Sequence, residues 1–300
     1  MEGKSVEQPR LRILNLNIRG LENKLHRLGS LIEKYRPDLV TLQETNVHSS
    51  FIKQAIATKL KLHNTIFNFA LHRHSGTAIL KTSDTWELSQ GYTSIGGRVI
   101  VGKIKNGDFE FNLVNLHAPA ESHYRPQFFK ELADKLYPLT NRHRTILVGD
   151  FNITLEDRDI VGKSGVERIG RKELKELVDA LNLQDSYRCT HPTQIDITHT
   201  NAWWQRAARI DRLYAPKATK IQANAHLDET LIFTDHKGLL VTVGSQEIHS
   251  RKPSWKLNDS LLATVHFKEA ILDLINFTKD SLTPDTNIHK IMDTFRDSGQ

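Results

Sequence analysis

The sequence predicts a layered α/β domain, and three features of the chain support this fold class. Short apolar runs rich in Val and Ile alternate with segments whose apolar residues recur at three- and four-residue steps. Several of the short runs are apolar along their whole length, so both faces of the corresponding strands should be covered. A layered arrangement of sheets and helices is therefore favoured over an open sheet.

Nine apolar segments are predicted to be strands, because β-branched and other apolar residues dominate them. In chain order they are Leu11 to Ile18, Leu39 to Leu42, Thr65 to Phe69, Thr77 to Leu80, Val99 to Ile104, Phe109 to Leu116, Thr145 to Val148, Ile210 to Tyr214 and Leu239 to Val243.

Four segments between these strands are predicted to be helices. They are Glu22 to Tyr35, Ile52 to Leu60, Gln127 to Tyr137 and Arg171 to Leu181. In the last of them, the spacing of Leu174, Leu177 and Val178 aligns their side chains on one helical face. Such a face is expected to pack against a sheet.

The apolar pattern ends near Gly244, which predicts a domain boundary close to residue 245. The segment Gln246 to Ser254 is polar. Beyond it, Asn258 or Asp259 is a suitable N-cap for a further helix, and Ile288 to Phe295 is another helical candidate. The prediction is a polar tail over residues 1–10, a folded domain over residues 11–245, and a linker with a C-terminal helical extension over residues 246–300.

Composition and charge favour an intracellular protein with a polyanionic partner. No stretch approaches the ~18 consecutive apolar residues of a membrane span, and the polar start lacks the apolar run of a secretory signal. The single cysteine, Cys189, agrees with a reducing compartment. The formal charge of +6 is concentrated in residues 1–245, which suits a nucleic acid, although many basic proteins bind none. We therefore expect a protein that is neither secreted nor membrane-bound.

Asn, Asp, Glu and His residues accompany the ends of several predicted strands. They are Asn17, Glu44, His117, Asp150 with Asn152, Asp211, and Asp235 with His236. An acid at the end of one strand usually shows only that the chain has reached solvent. A whole set of these residue types indicates a shared site, because layered α/β folds tend to place ligand sites where strands end.

Clustered carboxylates imply a particular chemistry. Carboxylates that lie together repel one another and are costly to desolvate, so they need a cation or protons to neutralise them. Oxygen ligands without cysteine favour Mg²⁺ or Mn²⁺ over Zn²⁺. A histidine beside an aspartate, as in Asp235-His236, is able to act as base for an attacking water or to orient it. These are the parts of phosphodiester hydrolysis.

Six short motifs occur in an order that resembles the endonuclease/exonuclease/phosphatase superfamily over about residues 11–244. They are Leu14 to Gly20, Gln43 to Thr45, Gly97 to Ile100, Gly149 to Asn152, Arg209 to Arg212, and Thr234 to His236. The resemblance implies an α/β sandwich of two packed mixed sheets flanked by helices. It also implies a metal-dependent phosphodiesterase.

For the metal, the resemblance implies Glu44 as the principal ligand, with Asn17 and Asp235 completing the metal region. The expected cofactor is Mg²⁺, with Mn²⁺ able to substitute, since both prefer oxygen ligands. The resemblance leaves the number of metal ions in turnover open.

For catalysis, the resemblance implies that Asp150 orients or deprotonates the water and that Asn152 holds the scissile phosphate. His236 is expected to contact that phosphate while hydrogen-bonded to Asp211. Whether Asp150 or His236 accepts the proton is left open, because the geometry of the pair decides it. His117 stands where the abasic-site repair branch has Tyr and resembles the pancreatic deoxyribonuclease and sphingomyelinase branches. It is expected to protonate the leaving oxygen or to donate to the phosphate.

The segment Asp185 to Pro192 and the residues that follow it resemble the retrotransposon branch of the superfamily. By this match Thr200 to Ala208 forms a hairpin loop that enters the minor groove of target DNA, where aromatic and cationic side chains are able to wedge into a distorted duplex. The residues expected to bind DNA are Thr198, Trp203, Trp204, Arg206 and Arg98. Further candidate phosphate contacts are Arg168, Arg171, Lys172, Lys175, Arg209, Arg212, Lys217 and Lys220. The alternative for both tryptophans is that they pack on the domain surface.

The expected function is that of a Mg²⁺-dependent endonuclease that nicks double-stranded DNA for target-primed reverse transcription of a LINE-type (non-LTR) retrotransposon. Its expected partners are the DNA target and a reverse transcriptase domain of the same polyprotein, which residues 246–300 would precede. The isolated domain is expected to be a monomer, made in the cytoplasm and active in the nucleus. Two alternatives stay open: a phosphatase or lipid phosphodiesterase of the same fold, and a catalytically inactive nucleic-acid-binding module.

Overall fold

The structure, a computed structural model, describes residues 9–62, 64–94, 96–139, 141–162, 168–201 and 206–244. These residues belong to one compact unit, Met1–Gln246. The predicted C-terminal helical extension lies outside the described residues, so it and the predicted domain limits stay predictions.

Strands and helices alternate along the described chain. The strands are β1 (Arg10–Asn17), β2 (Leu39–Gln43), β3 (Asn64–Asn68), β4 (Thr77–Lys81), β5 (Glu87–Ser94), β6 (Val99–Asn106), β7 (Phe109–His117), β8 (Thr145–Asp150), β9 (Ile160–Gly162), β10 (Leu183–Asp185), β11 (His199–Asn201), β12 (Arg206–Ala208), β13 (Asp211–Pro216), β14 (Lys220–Leu227) and β15 (Gly238–Gly244). The helices are α1 (Leu25–Tyr35), α2 (Ser50–Lys59), α3 (Arg125–Leu136), α4 (Arg171–Ala180) and α5 (Ser186–Thr190). None of the described helices is long and apolar enough to cross a membrane.

Two six-stranded mixed sheets and one three-stranded sheet form among the described residues. The first sheet has the order β14-β15-β1-β2-β4-β3, the second has β10-β13-β8-β7-β6-β5, and the small one has β11-β12-β9. Strands β1 and β2 are parallel, as are β7 and β8, whereas the other paired strands of the two large sheets are antiparallel. The predicted fold of two packed mixed sheets with flanking helices is confirmed.

Apolar side chains cover both faces of the central strands. Ile13 and Val241 of the first sheet pack against Ile146 and Leu213 of the second. On the outer faces, the apolar side of α1 packs on the first sheet, and α3 and α4 pack on the second. Each fully buried aliphatic side chain contributes roughly 1.5–3 kcal/mol relative to leaving it exposed. This two-sided burial explains why β1 has apolar residues on both faces: Leu11 and Ile13 pack between the sheets, and Leu14 and Leu16 pack on the side of α1.

The strands that the sequence does not predict are short or lie at sheet edges. Strand β14 lies at one edge of the first large sheet, and β5 lies at one edge of the second. Most β14 side chains are exposed or half-buried. Strands β9, β10, β11 and β12 have three residues each, which is too short for a periodic pattern. These strands depend on the neighbours they pair with rather than on their own apolar content.

Arg209 and Arg212 are buried in the fold, which corrects the expectation that they contact phosphates. Each has about 1% of its surface exposed. Arg209 Nη2 lies 2.8 Å from Asp159 Oδ2 and 2.7 Å from Asp185 Oδ2, and Arg212 Nη2 lies 3.6 Å from Asp159 Oδ2. A buried cation is strongly destabilising without such partners, so these arginines hold β13 to neighbouring segments instead of facing DNA.

Gly149 in β8 allows the close approach of β7 and is expected to tolerate no side chain. Its φ is +144°, and a Cβ there would lie 1.9 Å from the carbonyl oxygen of Leu116. We expect Gly149→Ala to lower the free energy of unfolding by at least about 3 kcal/mol, because backbone must move. Urea unfolding measures this value. Gly107→Ala is the control: its φ is +58° with nothing within 4 Å of the new Cβ, so about 1 kcal/mol is expected. Equal losses in both variants would contradict the account.

Candidate active site

The topology brings the polar strand ends to one place. Asn17 pairs with Gln43 at the ends of parallel β1 and β2, and His117 pairs with Asp150 at the ends of parallel β7 and β8. Asp211 pairs with Asp150 from antiparallel β13, which begins where β8 ends. The residues that converge are Asn17, Glu44, His117, Asp150, Asn152, Asp211, Asp235 and His236.

Asn17 joins the two sheets at the site. Its Nδ2 donates to Glu44 Oε1 and to Asp150 Oδ2, at 3.0 Å each, and its side chain is fully buried. Glu44 has a left-handed backbone, with φ +50°, and its carbonyl oxygen accepts the N–H of Gly20 at 2.7 Å. Such backbone strain in a non-glycine residue is commonly found at functional sites. The turn directs the Glu44 carboxylate towards Asp150.

His236 and Asp211 form a buried hydrogen-bonded pair. His236 Nδ1 lies 2.9 Å from Asp211 Oδ2, and because a carboxylate only accepts, the proton belongs to the ring. Burial alone would lower the pKa of His236, but the charge of Asp211, its hydrogen bond, and the charges of Asp150 and Asp235 raise it to about 9. His236 is therefore a cation near neutral pH. Its Nε2 points towards Asp150 Oδ2, 4.0 Å away.

Asp150 is poised to accept a proton. Burial and the charge of Asp211 raise its pKa above the usual range for a carboxyl group. The charge of His236 and hydrogen bonds from Asn152 and Asn17 act in the opposite direction. The backbone N–H of Asn152 donates to Asp150 Oδ1 at 2.9 Å, and Asn152 Nδ2 donates to Ala118 O at 2.8 Å. The Asp150 carboxylate is thus fixed in orientation, and its pKa lies closer to neutral pH than that of an ordinary aspartate.

His117 lies between the two carboxylates that Asn17 joins. Its Nε2 is 3.8 Å from Glu44 Oε1 and 4.0 Å from Asp150 Oδ2. Burial, followed by the charges of Arg98 and His236, lowers its pKa to about 3. A neutral imidazole suits hydrogen bonding to a phosphate oxygen better than the alternative role of an acid.

Asp235 borders the site on the side of His236. Its Oδ1 lies 3.9 Å from His236 Nε2, its Oδ2 lies 3.5 Å from His199 Nε2, and Oδ2 also pairs with Arg19 Nη1. Burial would raise the pKa of Asp235, but the hydrogen bond from His199 and the charges of His236 and Arg19 hold it well below the usual range. Asp235 is therefore ionised.

The donor set fits a divalent cation. Asp211 Oδ1 and Asp235 Oδ1 are buried and have no hydrogen-bond partner in the described part of the chain. Two groups of described residues have ligand atoms within 4.8 Å of one another: Asp150, Asp211 and His236, and His199, Asp235 and His236. Three residues were expected to bind the metal. Glu44 and Asn17 are in contact with each other, whereas Asp235 belongs to the group with His199 and His236. Uncompensated carboxylate oxygens in this setting are suitable ligands for a cation.

The expected DNA-binding residues are only partly described. Thr198 is buried, and its Oγ1 accepts the N–H groups of Ile210 and Asp211, at 3.0 Å each. Arg98 Nη1 donates to the carbonyl oxygen of His117 at 3.3 Å. Strands β11 and β12 pair as the arms of the predicted hairpin. Trp203, Trp204 and the side chain of Arg206 lie outside the described residues, and contacts of all five with DNA stay predictions.

Three residues at the site were given no role by the sequence. Arg19 pairs with Asp235, and His74 Nδ1 lies 2.9 Å from Glu44 Oε2. The ring of His199 contacts the ring of His236 at a tilt of 33°, with centroids 4.5 Å apart. Arg19 lies two positions after Asn17, and His199 directly follows Thr198, so their closeness in sequence to expected site residues could have identified them. His74 reaches Glu44 from a turn that lies just before β4, 30 positions further along the chain.

Comparison with known proteins gives a family match and several curated relatives. The model of the Endonuclease/Exonuclease/phosphatase family matches residues 14–236. The Transposon TX1 uncharacterized 149 kDa protein of Xenopus laevis is 24% identical over 271 residues, which cover 88% of this chain and 20% of that protein. Exodeoxyribonuclease III of Haemophilus influenzae is 26% identical over 211 residues, covering 62% of this chain and 78% of the enzyme. The chain thus spans about a fifth of the length of the Xenopus relative.

Solved structures share the fold. The AP endonuclease LMAP from Leishmania major matches with a TM-score of 0.67 at 17% identity, covering 79% of this chain and 88% of that one. An AP endonuclease from Archaeoglobus fulgidus matches with 0.65 at 20% identity, covering 77% and 98%. The endonuclease domain of TRAS1, a telomere-specific non-LTR retrotransposon, matches with 0.58 at 15% identity, covering 78% and 98%.

Proposed function

Because the chain belongs to the endonuclease/exonuclease/phosphatase family, we propose that it is a Mg²⁺-dependent endonuclease that nicks double-stranded DNA. The observation that carries this proposal is the hydrogen-bonded Asp211–His236 pair directly beside Asp150. A buried cationic imidazole next to a carboxylate of raised pKa provides a phosphate-binding group and a proton acceptor within one site.

We assign the proton acceptor to Asp150 and the phosphate contact to His236. His236 keeps its proton near neutral pH, so its Nε2–H donates to a phosphate oxygen. Asp150 takes the proton of the water that attacks phosphorus, the bond from phosphorus to the 3′ oxygen breaks, and the departing oxygen takes a proton from solvent water. The products are a free 3′ hydroxyl and a 5′ phosphate. Asn152 holds the phosphate from the adjacent turn, and neutral His117 donates a further hydrogen bond.

Glu44, with Asn17 and Asp235, would hold the Mg²⁺ ion, and Mn²⁺ would substitute for it. When bound, a hard divalent cation neutralises the clustered carboxylates and stabilises charge on the departing oxygen. Asn17 keeps the carboxylates of Glu44 and Asp150 apart and oriented, because its single amide nitrogen donates to both. The role of Asp211 is to orient the ring of His236 through Nδ1.

We further propose that residues 11–245 are the endonuclease domain of a non-LTR retrotransposon of the LINE type. The similarity to the Transposon TX1 protein of Xenopus laevis and to the TRAS1 endonuclease domain supports this context. A free 3′ hydroxyl is the end that target-primed reverse transcription extends, which agrees with the bond broken here. Residues 246–300 would then precede a reverse transcriptase domain of the same polyprotein. The domain would act in the nucleus as a monomer after synthesis in the cytoplasm.

Metal removal tests the proposed function. Supercoiled plasmid incubated with the protein and Mg²⁺ should convert first to nicked circles, and EDTA should lower the rate at least about a thousandfold, as loss of several kcal/mol of charge stabilisation predicts. Gel electrophoresis measures the rate of nicking.

Two further substrates, an abasic oligonucleotide and an inositol phosphate, are tested in parallel. Release of phosphate from the inositol compound with the plasmid left intact would favour the phosphatase alternative. Tight, Mg²⁺-indifferent DNA binding without nicks would favour the inactive module.

A further inference from the structure

A second group of candidate metal ligands lies at the His199 side of the active site. His199, Asp235 and His236 form one of the groups whose candidate ligand atoms lie within 4.8 Å of one another in the described chain. His199 Nε2 is 3.5 Å from Asp235 Oδ2, and His236 Nε2 is 3.9 Å from Asp235 Oδ1. We propose that this group binds a transition-metal ion, with Zn²⁺ as the best match, and that its binding blocks hydrolysis.

The backbone holds His199 beside His236. The two residues form an isolated antiparallel β-bridge, and Lys237 N donates to Thr198 O at 2.8 Å. The N–H of Thr198 in turn donates to Ala208 O at 3.2 Å at the base of the β11–β12 hairpin. The position of the His199 ring is therefore set by strand pairing, and ligand groups fixed in this way need little reorganisation to bind an ion.

The other two ligands are also prepared for a cation. His236 uses Nδ1 for Asp211, at 2.9 Å, which leaves Nε2 facing Asp235. A carboxylate that accepts from the far nitrogen of a ligating histidine is the usual outer partner of protein metal sites. Asp235 Oδ1 is buried without a hydrogen-bond partner among the described residues, while Arg19 occupies Oδ2. Oδ1 is therefore free to bind an ion with the Arg19 pair intact.

The ligand types separate this site from the one that Glu44 would form. Two imidazole nitrogens and one carboxylate form a donor set that Zn²⁺ binds tetrahedrally, with the fourth position open. Mg²⁺ prefers oxygen ligands and gains little from imidazole. By contrast, the two carboxylates that Asn17 contacts, those of Glu44 and Asp150, offer only oxygen atoms to a cation. The two sides of the active site should thus differ in the ions they select.

Occupation of the His199 group would stop the reaction, a consequence that rests on the proposed function. The ion would replace the proton on Nε2 of His236, which would pass to solvent, so this nitrogen would no longer donate to the phosphate. It would also take Asp235 from the Mg²⁺ region. Zn²⁺ should therefore inhibit hydrolysis even when Mg²⁺ is in large excess, because it binds ligands that Mg²⁺ uses poorly.

Binding is tested without any reaction, using Co²⁺ as a spectroscopic probe for Zn²⁺. The wild-type protein should bind one equivalent of Co²⁺ with a visible absorption band, and Zn²⁺ should displace it. His199→Phe keeps a ring in contact with His236 but removes the ligand nitrogen, so the affinity for Co²⁺ should fall at least about tenfold. His199→Gln repeats the test with a polar side chain. His123→Phe is the control, because His123 is exposed and contacts Tyr124.

Inhibition is tested by plasmid nicking in Mg²⁺ with increasing Zn²⁺. With each protein's nicking rate expressed relative to its own rate without Zn²⁺, His199→Phe should need at least about tenfold more Zn²⁺ for inhibition, whereas His123→Phe should respond as wild type. Equal Zn²⁺ sensitivity of His199→Phe and wild type, or no Co²⁺ band in the wild type, would overturn the proposal. A Co²⁺ band that His199→Phe loses, in a protein that never nicks DNA, would support the metal site and contradict the proposed function.

Discussion

Replacing Glu44 by Gln should lower the rate of Mg²⁺-dependent nicking by about a thousandfold, a loss of roughly 4 kcal/mol of transition-state stabilisation. Gln keeps the size of Glu and still accepts a hydrogen bond from Asn17 Nδ2, so the local structure should survive. It lacks the negative charge that a divalent cation needs. Initial rates of plasmid relaxation over a range of Mg²⁺ concentrations measure the effect, and circular dichroism verifies the fold.

Asp84→Asn is the matched control for the loss of one carboxylate. Asp84 is exposed and forms an ion pair with Lys81. Lys81 lies at one end of β4, and the other end of β4 pairs with Gln43 near the active site. Its replacement should leave nicking unchanged. If Glu44→Gln nicked DNA at the rate of Asp84→Asn, the assignment of Glu44 to the metal would be wrong.

Replacing His236 by Gln should lower the nicking rate by about a hundredfold to ten-thousandfold, because a charged donor to the phosphate is lost. Asp211→Asn should cost a similar factor. The amide keeps the shape of the side chain but cannot hold the ring of His236 as a cation with its Nδ1–H directed inwards. Single-turnover rates at saturating Mg²⁺ separate this loss from weaker DNA binding.

A double variant tests whether His236 and Asp211 act as one unit. If Asp211 acts only through His236, the variant that carries both changes should be no slower than His236→Gln alone. Thermal unfolding of all three variants provides the structural check, since both side chains are buried. Fully multiplicative losses in the double variant would show that Asp211 acts independently of His236.

Much of the site could be predicted because it depends on strands whose apolar pattern is strong. The parallel pairs β1–β2 and β7–β8 are buried on both faces, so the sequence marks their ends clearly. Polar residues at those ends must meet once the strands are paired in register. Asn17 and Asp150, 133 positions apart, are joined by one hydrogen bond for this reason.

The contacts of Arg19, His74 and His199 could not be predicted, because they depend on turns and on short strands. His199 reaches Asp235 only because the three-residue strand β11 bridges to His236, and no periodic pattern marks that strand. The burial of charged side chains could not be predicted from the sequence either. Arg209 reads as a surface cation until the structure places Asp159 and Asp185 against it.

The choice of proton acceptor also required coordinates. A sequence that offers both Asp150 and His236 does not reveal which of them is able to accept a proton. Burial and neighbouring charges decide, and they move the two pKa values upwards for different reasons: desolvation for Asp150 and surrounding carboxylates for His236.

The position of the divalent ion tests the central claim most directly. Crystals grown with Mn²⁺ would reveal the ion in an anomalous difference map, independently of any activity. We predict a peak within bonding distance of a Glu44 carboxylate oxygen and close to the side chain of Asn17. Mn²⁺ peaks elsewhere in the molecule, with none at Glu44, would contradict the claim that these strand ends form a metal-dependent phosphodiesterase site.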